Sequence, residues 1–212
     1  MTSYTPVEIP APNKKPDKQQ ALIEAARDLF TTVGYESTTM AEVAKKAGVA
    51  VGTVYLYFKN KKELLNAVKD NWQVELLRAM SAHEITFIPH HLRARPLIEA
   101  TFAVCAQRTE MVQLMGLSPE LMGEMYSTTG DNTVQTAIKA LFDEGIEAGV
   151  FRPELDTEAA ALLTFSMVDG ALRQCFIMEG GKSQERYIDA LVDALEHWLR
   201  RPDATALQPY TS

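Results

Sequence analysis

The sequence predicts an all-α protein in two parts: an N-terminal three-helix head that ends in a helix–turn–helix, and a larger C-terminal body of helices. Three observations carry this. Apolar residues recur at steps of three and four along most of the chain, with no strand-like alternation and no repeat of fixed period. Two very short apolar-faced runs sit back to back around Gly48. The charge is divided: residues 14–62 hold nine Lys or Arg against five acids, whereas residues 63–212 hold twelve against twenty-two, within a net charge of −7.

Each element has its own signals. Residues 1–16 carry four prolines and little periodicity, and read as a flexible arm. Asp17 is placed to cap the first helix, with Gln20 three positions on. Leu22, Ala25, Ala26, Leu29, Phe30 and Val33 form its stripe, and Gly34 stops it. Thr39 and Glu42 make a second capping box, ahead of Met40, Val43, Ala44 and Ala47. Gly48 breaks that helix in a tight turn, and Val49 drops between the two short helices. A third helix runs to about Tyr57 with Val54 and Phe58 inward. Asn60 and Glu63 make the third box, opening a helix through Leu64, Leu65, Val68, Trp72, Leu76 and Leu77 to about Met80.

The rest also reads as helical. A Pro-punctuated connector, "HEITFIPHHLRARP", leads to a helix over 97–110. Residues 111–130 are Met-rich and irregular. Helices follow over 131–148 and 157–178, the second apolar over much of its circumference. The last carries Ile188, Leu191, Val192, Leu195, Trp198 and Leu199. The predicted division is an arm over 1–16, a head over 17–62 and a body over 63–212.

Composition sets limits. The apolar share is 46%, enough for a real core. No apolar run reads as long enough to cross a bilayer, and the N-terminus lacks an apolar leader, so no membrane partner is expected. Cys105 and Cys175 belong to no metal or CxxC spacing and read as buried thiols in a reducing cytoplasm. His83, His90 and His91 lack a Cys or Asp to complete a ligand set, so no metal and no cofactor are expected. No nucleophile–base set stands out, so the chain is not expected to be an enzyme.

A basic front on an acidic body suits a polyanion-binding head. In a helix–turn–helix the second helix enters the major groove of double-stranded DNA. Its exposed positions here are Ala50, Val51, Thr53, Tyr55 and Tyr57, and Gly52 permits close backbone approach. Ala50 and Val51 offer only apolar contact, for instance to a thymine methyl; Thr53 can bond a base or a phosphate. The tyrosine hydroxyls, Lys59, Lys61 and Thr39 suit phosphate oxygens. Other readings stand beside this one. The chain can be an all-helical ligand-binding or catalytic protein whose 38–62 segment only packs, or a DNA-binding activator controlled by a protein partner.

The stretch "ALIEAARDLFTTVGYESTTMAEVAKKAGVAVGTVYLYFKNKKELL", residues 21–65, resembles the DNA-binding head of the TetR family of bacterial transcriptional regulators. The elements that carry the likeness are "AARDLF", "GYESTTMAEVAKKAGV", "GTVYLYF" and "NKKELL". The resemblance implies a homodimer, a two-fold operator and a ligand-binding body that releases DNA when occupied. The chain is thus expected to be a repressor of a palindromic operator, and its Met-rich stretch points to a small, largely apolar inducer. It places DNA contacts on Thr39, Gly52, Thr53, Tyr55, Tyr57 and Lys61. Two departures are visible: Ala50 and Val51 stand where Ser/Thr and Lys are usual, and Lys62 stands where an acid is common.

The resemblance also places the dimer interface on the last two helices. Leu162, Val168, Leu172 and Phe176, with Leu191, Leu195, Trp198 and Leu199, would build a four-helix bundle from two subunits. Phe102, Cys105, Met115, Met122, Met125, Tyr126, Phe142, Phe165 and Asp169 are the candidate ligand-binding residues, since methionine adapts to varied apolar shapes. Asp169 and Arg173, four residues apart, read first as a structural pair.

Overall fold

The computed structural model of the protein describes residues 18–81, 93–117 and 133–199. The arm, the Asp17 cap, the three histidines and the candidates Met122, Met125 and Tyr126 lie outside them. The described residues form helices and turns with no strand element, so the chain is all-α. They divide into two compact units, Met1–Arg78 and Ala79–Ser212.

The first unit holds α1 (Lys18–Thr32), α2 (Met40–Ala47), α3 (Val51–Tyr57) and α4 (Lys61–Met80). Its core is drawn from the predicted stripes: Leu22, Ala26 and Phe30 of α1, Met40, Val43 and Ala44 of α2, Val54 and Phe58 at α3, and Leu64, Leu65, Val68 and Trp72 of α4. Phe30 meets Tyr35 edge-on, with ring centroids 5.2 Å apart. Thr38 is buried and donates to the Gly34 carbonyl at 2.8 Å, so the α1–α2 turn satisfies its own polar groups. Gly48 takes a left-handed φ of 70°. Its N–H and that of Val49 close on the carbonyls of Lys45 (3.3 Å) and Ala44 (3.0 Å), which sets α3 off at a new angle.

The second unit holds α5 (Ala94–Gln107), α6 (Thr109–Leu117), α7 (Thr133–Glu147), α8 (Thr157–Leu172) and α9 (Gln184–Leu199). A wide π turn, Arg173–Met178, continues α8. α8 packs on α7, α9 on α5, and α6 on the π turn. Phe102 of α5 meets Phe176 of the π turn at 6.0 Å. Arg95 of α5 pairs with Glu185 at 3.3 Å and with Asp189, both on α9.

Two expectations are corrected. Residues 111–130 do not begin as irregular chain: 109–117 is helix α6. Met111, Val112, Leu114 and Met115 are all buried, so that stretch has a core to pack against, and the break falls at Arg108 instead. The run Thr157–Met178 is long and apolar enough by length and composition to span a bilayer, contrary to the expectation from sequence. Asp169 and Arg173 pair at 2.8 Å in its middle, and Ala160, Ala161, Thr164 and Leu172 are buried against the chain's own helices. Those features seat one side of the helix within the folded unit, while 28% of its most apolar stretch is buried.

Gly145 of α7 lies flat under the Phe151 ring, which meets Phe142 edge-on at 5.9 Å. A Cβ on Gly145 would fall 2.1 Å from Phe151 Cδ2, so the ring must be displaced to admit one. Gly145→Ala is therefore expected to destabilise the protein by about 1–3 kcal/mol, read from the urea midpoint, and Gly145→Ala with Phe151→Leu to recover part of the loss.

Candidate nucleic-acid interface

Helix α3 is seven residues long, and two side chains hold it. Val54 is fully buried and Phe58 nearly so. The remaining positions face outward: Val51, Tyr55 and Tyr57 are exposed, and Leu56 is 83% exposed. A Cβ placed on Gly52 would meet no atom within 4 Å, so that stretch of helix backbone lies open. Ala50 starts the helix with extended backbone and no side-chain cap, as its methyl requires.

Capping fixes the flanking helices. The Thr39 hydroxyl accepts from Glu42 N–H at 3.2 Å and donates to Glu42 Oε2 at 2.8 Å, and the Thr39 N–H donates to the same oxygen at 2.7 Å. These bonds from the Thr39 hydroxyl and N–H hold the Glu42 carboxyl below its usual range. At α4, Asn60 Oδ1 accepts from Glu63 N–H at 2.9 Å, as predicted. The return bond differs: the Glu63 carboxylate accepts from Lys59 N–H at 2.8 Å, one residue earlier than the expected box.

The predicted contact residues thus have different surroundings. Ala50, Val51, Gly52, Tyr55 and Tyr57 share the outer surface of α3, with Thr53 half-buried at its side. Lys59 extends into solvent, its Nζ 4.0 Å from Glu63 Oε1. Lys45 and Lys46 at the end of α2 are exposed as well. The Thr39 O–H is committed to Glu42. Lys61 is the largest departure: its ammonium donates to the Tyr35 carbonyl at 2.7 Å and the Glu36 carbonyl at 3.0 Å, and lies 4.4 Å from the centroid of the Tyr35 ring. Lys61 fastens the start of α4 to the α1–α2 turn. Leu56 is absent from the contacts expected from sequence, although its spacing from the inward Val54 and Phe58 marks it as outward.

In the second unit, Phe102, Cys105, Met115 and Phe142 are buried, with Phe165 and Asp169 intermediate. Burial and the neighbouring Asp169 push the Cys105 thiol up to about 12. The two lie close enough to interact, whereas Phe142 packs separately against Phe151. Of the residues expected at a dimer interface, Leu172, Phe176, Leu191, Leu195 and Leu199 are buried within the single chain, while Leu162, Val168 and Trp198 are half-buried. Among the described residues, no group of three or more His, Cys, Asp or Glu side chains is placed to hold a metal ion.

Residues 22–68 match the family described as bacterial regulatory proteins, tetR family. The chain is 27% identical to the uncharacterized HTH-type transcriptional regulator YhgD of Bacillus subtilis, over 71% of this chain and 80% of that protein. It is 26% identical to the HTH-type transcriptional regulator TtgR of Pseudomonas putida, over 82% of this chain and 89% of that one. Among solved structures it shares its fold with the regulator FadR of Bacillus subtilis in complex with stearoyl-CoA. The TM-score is 0.66 at 23% identity, over 81% of this chain and 96% of the other.

The environment of Lys61 generates a direct test. Lys61→Met leaves two carbonyls without their cationic donor and is expected to lower the urea midpoint, by about 1–2 kcal/mol in stability. An unchanged midpoint with weakened DNA binding would instead make Lys61 a phosphate contact.

Proposed function

We propose that this chain, which belongs to the TetR family of bacterial transcriptional regulators, is a repressor that binds a palindromic operator as a homodimer and lets go when a small, largely apolar ligand occupies its body. The carrying observation is α3: a helix whose only deeply buried side chain is Val54 and whose remaining surface is presented outward, flanked by exposed lysines. That shape suits a major groove about 12 Å wide. Ala50, Val51, Gly52, Thr53, Tyr55 and Tyr57 meet the duplex. Lys59 meets a phosphate, and Thr39 does so if its hydroxyl trades Glu42 for a phosphate oxygen. Lys61 acts one step back, by holding α4 in place. Residues 17–62 serve DNA binding, and 63–212 serve ligand binding and dimerisation. The chain acts in the cytoplasm, where such an operator is found.

A dimer face is available on α8 and the π turn that continues it. Leu163 is 51% exposed, Met178 72% exposed, and a Cβ on Gly170 would meet nothing within 4 Å. With Met167 and Gln174 these positions recur at three- and four-residue steps along one side. Only 28% of the most apolar stretch of this helix is buried in the single chain, which suits cover by a second copy. On this reading the outer side of α8 supplies the interface, with the half-buried Leu162, Val168 and Trp198 beside it, while Leu172, Phe176, Leu191, Leu195 and Leu199 are buried within the subunit. The ligand is met by Phe102, Cys105, Met115 and Phe165, with Asp169 toward any polar group. The likeness in fold to a regulator holding stearoyl-CoA supports an apolar or acyl-bearing ligand.

Gel-shift titration against the DNA upstream of the protein's own gene tests this reading. Binding is expected to weaken steeply with salt, and Lys59→Ala to reduce the slope of log affinity against log salt by about one per subunit. Salt-independent or absent binding would refute it. Leu163→Glu with Met178→Glu is expected to give a monomer on sedimentation with much weaker operator binding; a persistent dimer would place the interface elsewhere.

A further inference from the structure

The outward side of α3 has an unusual chemistry. Its sequence, VGTVYLY, includes no charged, amide or imidazole side chain. The bidentate pairings by which Arg or Lys reads guanine and Asn or Gln reads adenine are therefore not available from this helix. What remains is hydroxyl and hydrocarbon. Successive helix positions are turned by about 100°, so Gly52 and Leu56, one turn apart, fall together on the ridge opposite the buried Val54 and Phe58. The ridge farthest from the core thus consists of bare backbone at Gly52 and an isobutyl group, 83% exposed, at Leu56. Thr53 and Tyr55 stand to either side. A leucine so placed adds nothing to the core, and the space above Gly52 on the same ridge is open.

We propose that Leu56, on the same outer ridge as the open backbone of Gly52, reads thymine 5-methyl groups in the major groove and is the main specificity-determining residue of α3. This rests on the DNA-binding reading above and deepens it. Gly52 lets the base edge come close, Leu56 covers the methyl, and the lysines supply affinity without sequence preference. Thymine differs from uracil only in that methyl, so the two bases offer the same hydrogen-bonding edge.

The full-length protein is first used to select its preferred sites from a random duplex pool. Affinity is then measured on a selected site and on the same site with deoxyuridine replacing each thymine. The wild type is expected to lose about four-fold in affinity for each methyl it reads. Leu56→Ala is expected to bind the thymine duplex more weakly and to be indifferent to the replacement. Gly52→Ala, whose added methyl meets no protein atom, should keep or raise its thermal midpoint and lose affinity. Equal wild-type affinity for both duplexes overturns the inference, as does a Leu56→Ala variant that keeps full sensitivity to uracil. If no duplex is selected at all, the DNA-binding reading itself fails.

Discussion

A helix of seven residues cannot hold itself in water; isolated helices shorter than about 12–15 residues are marginal. α3 therefore exists only because its neighbours build it, and the first unit is organised around that constraint. Val54 and Phe58 reach into a core made by α1, α2 and α4. Gly48 ends α2 in the one backbone conformation that turns the chain sharply into α3. Lys59 and Asn60 join Glu63 in closing the start of α4 directly behind it. Because the support comes from behind and from both ends, the outer side of α3 carries no packing duty and is left to other uses.

Lys61 illustrates how the same residue type divides its labour. Lys59 extends into solvent, whereas two residues later the ammonium is surrounded by two carbonyls and an aromatic ring. The difference is positional. Lys61 sits at the first turn of α4, against the bend that joins α1 to α2. A charge there completes hydrogen bonds that the bend leaves open. The head thus uses one lysine internally and keeps the others at its surface.

Much of this was legible in sequence, because local rules governed it. The caps at Thr39 and Asn60, the stop at Gly48 and the inward Val54 and Phe58 all depend on residues within one or two turns of each other. What escaped depended on partners far along the chain. Met111, Val112, Leu114 and Met115 look like irregular chain until the π turn at Arg173–Met178 is there to bury them. Leu172, Phe176, Leu191, Leu195 and Leu199 are striped as an interface would be, yet a stripe does not say whether its cover lies in the same chain. Leu163 and Met178 are the outward residues, and they differ from the inward ones only by rotation about the axis. The contacts of individual side chains with DNA or ligand are a further step, which the three-dimensional placement informs and experiment decides.

The buried thiol of Cys105 has a practical corollary. With its pKa pushed up to about 12 it holds almost no thiolate at neutral pH, and thiol reagents attack the thiolate. Its alkylation rate in the native protein is then governed by how often α5 parts from the helices that cover it. The residue is an internal clock for breathing of the body, already in place without any engineered label.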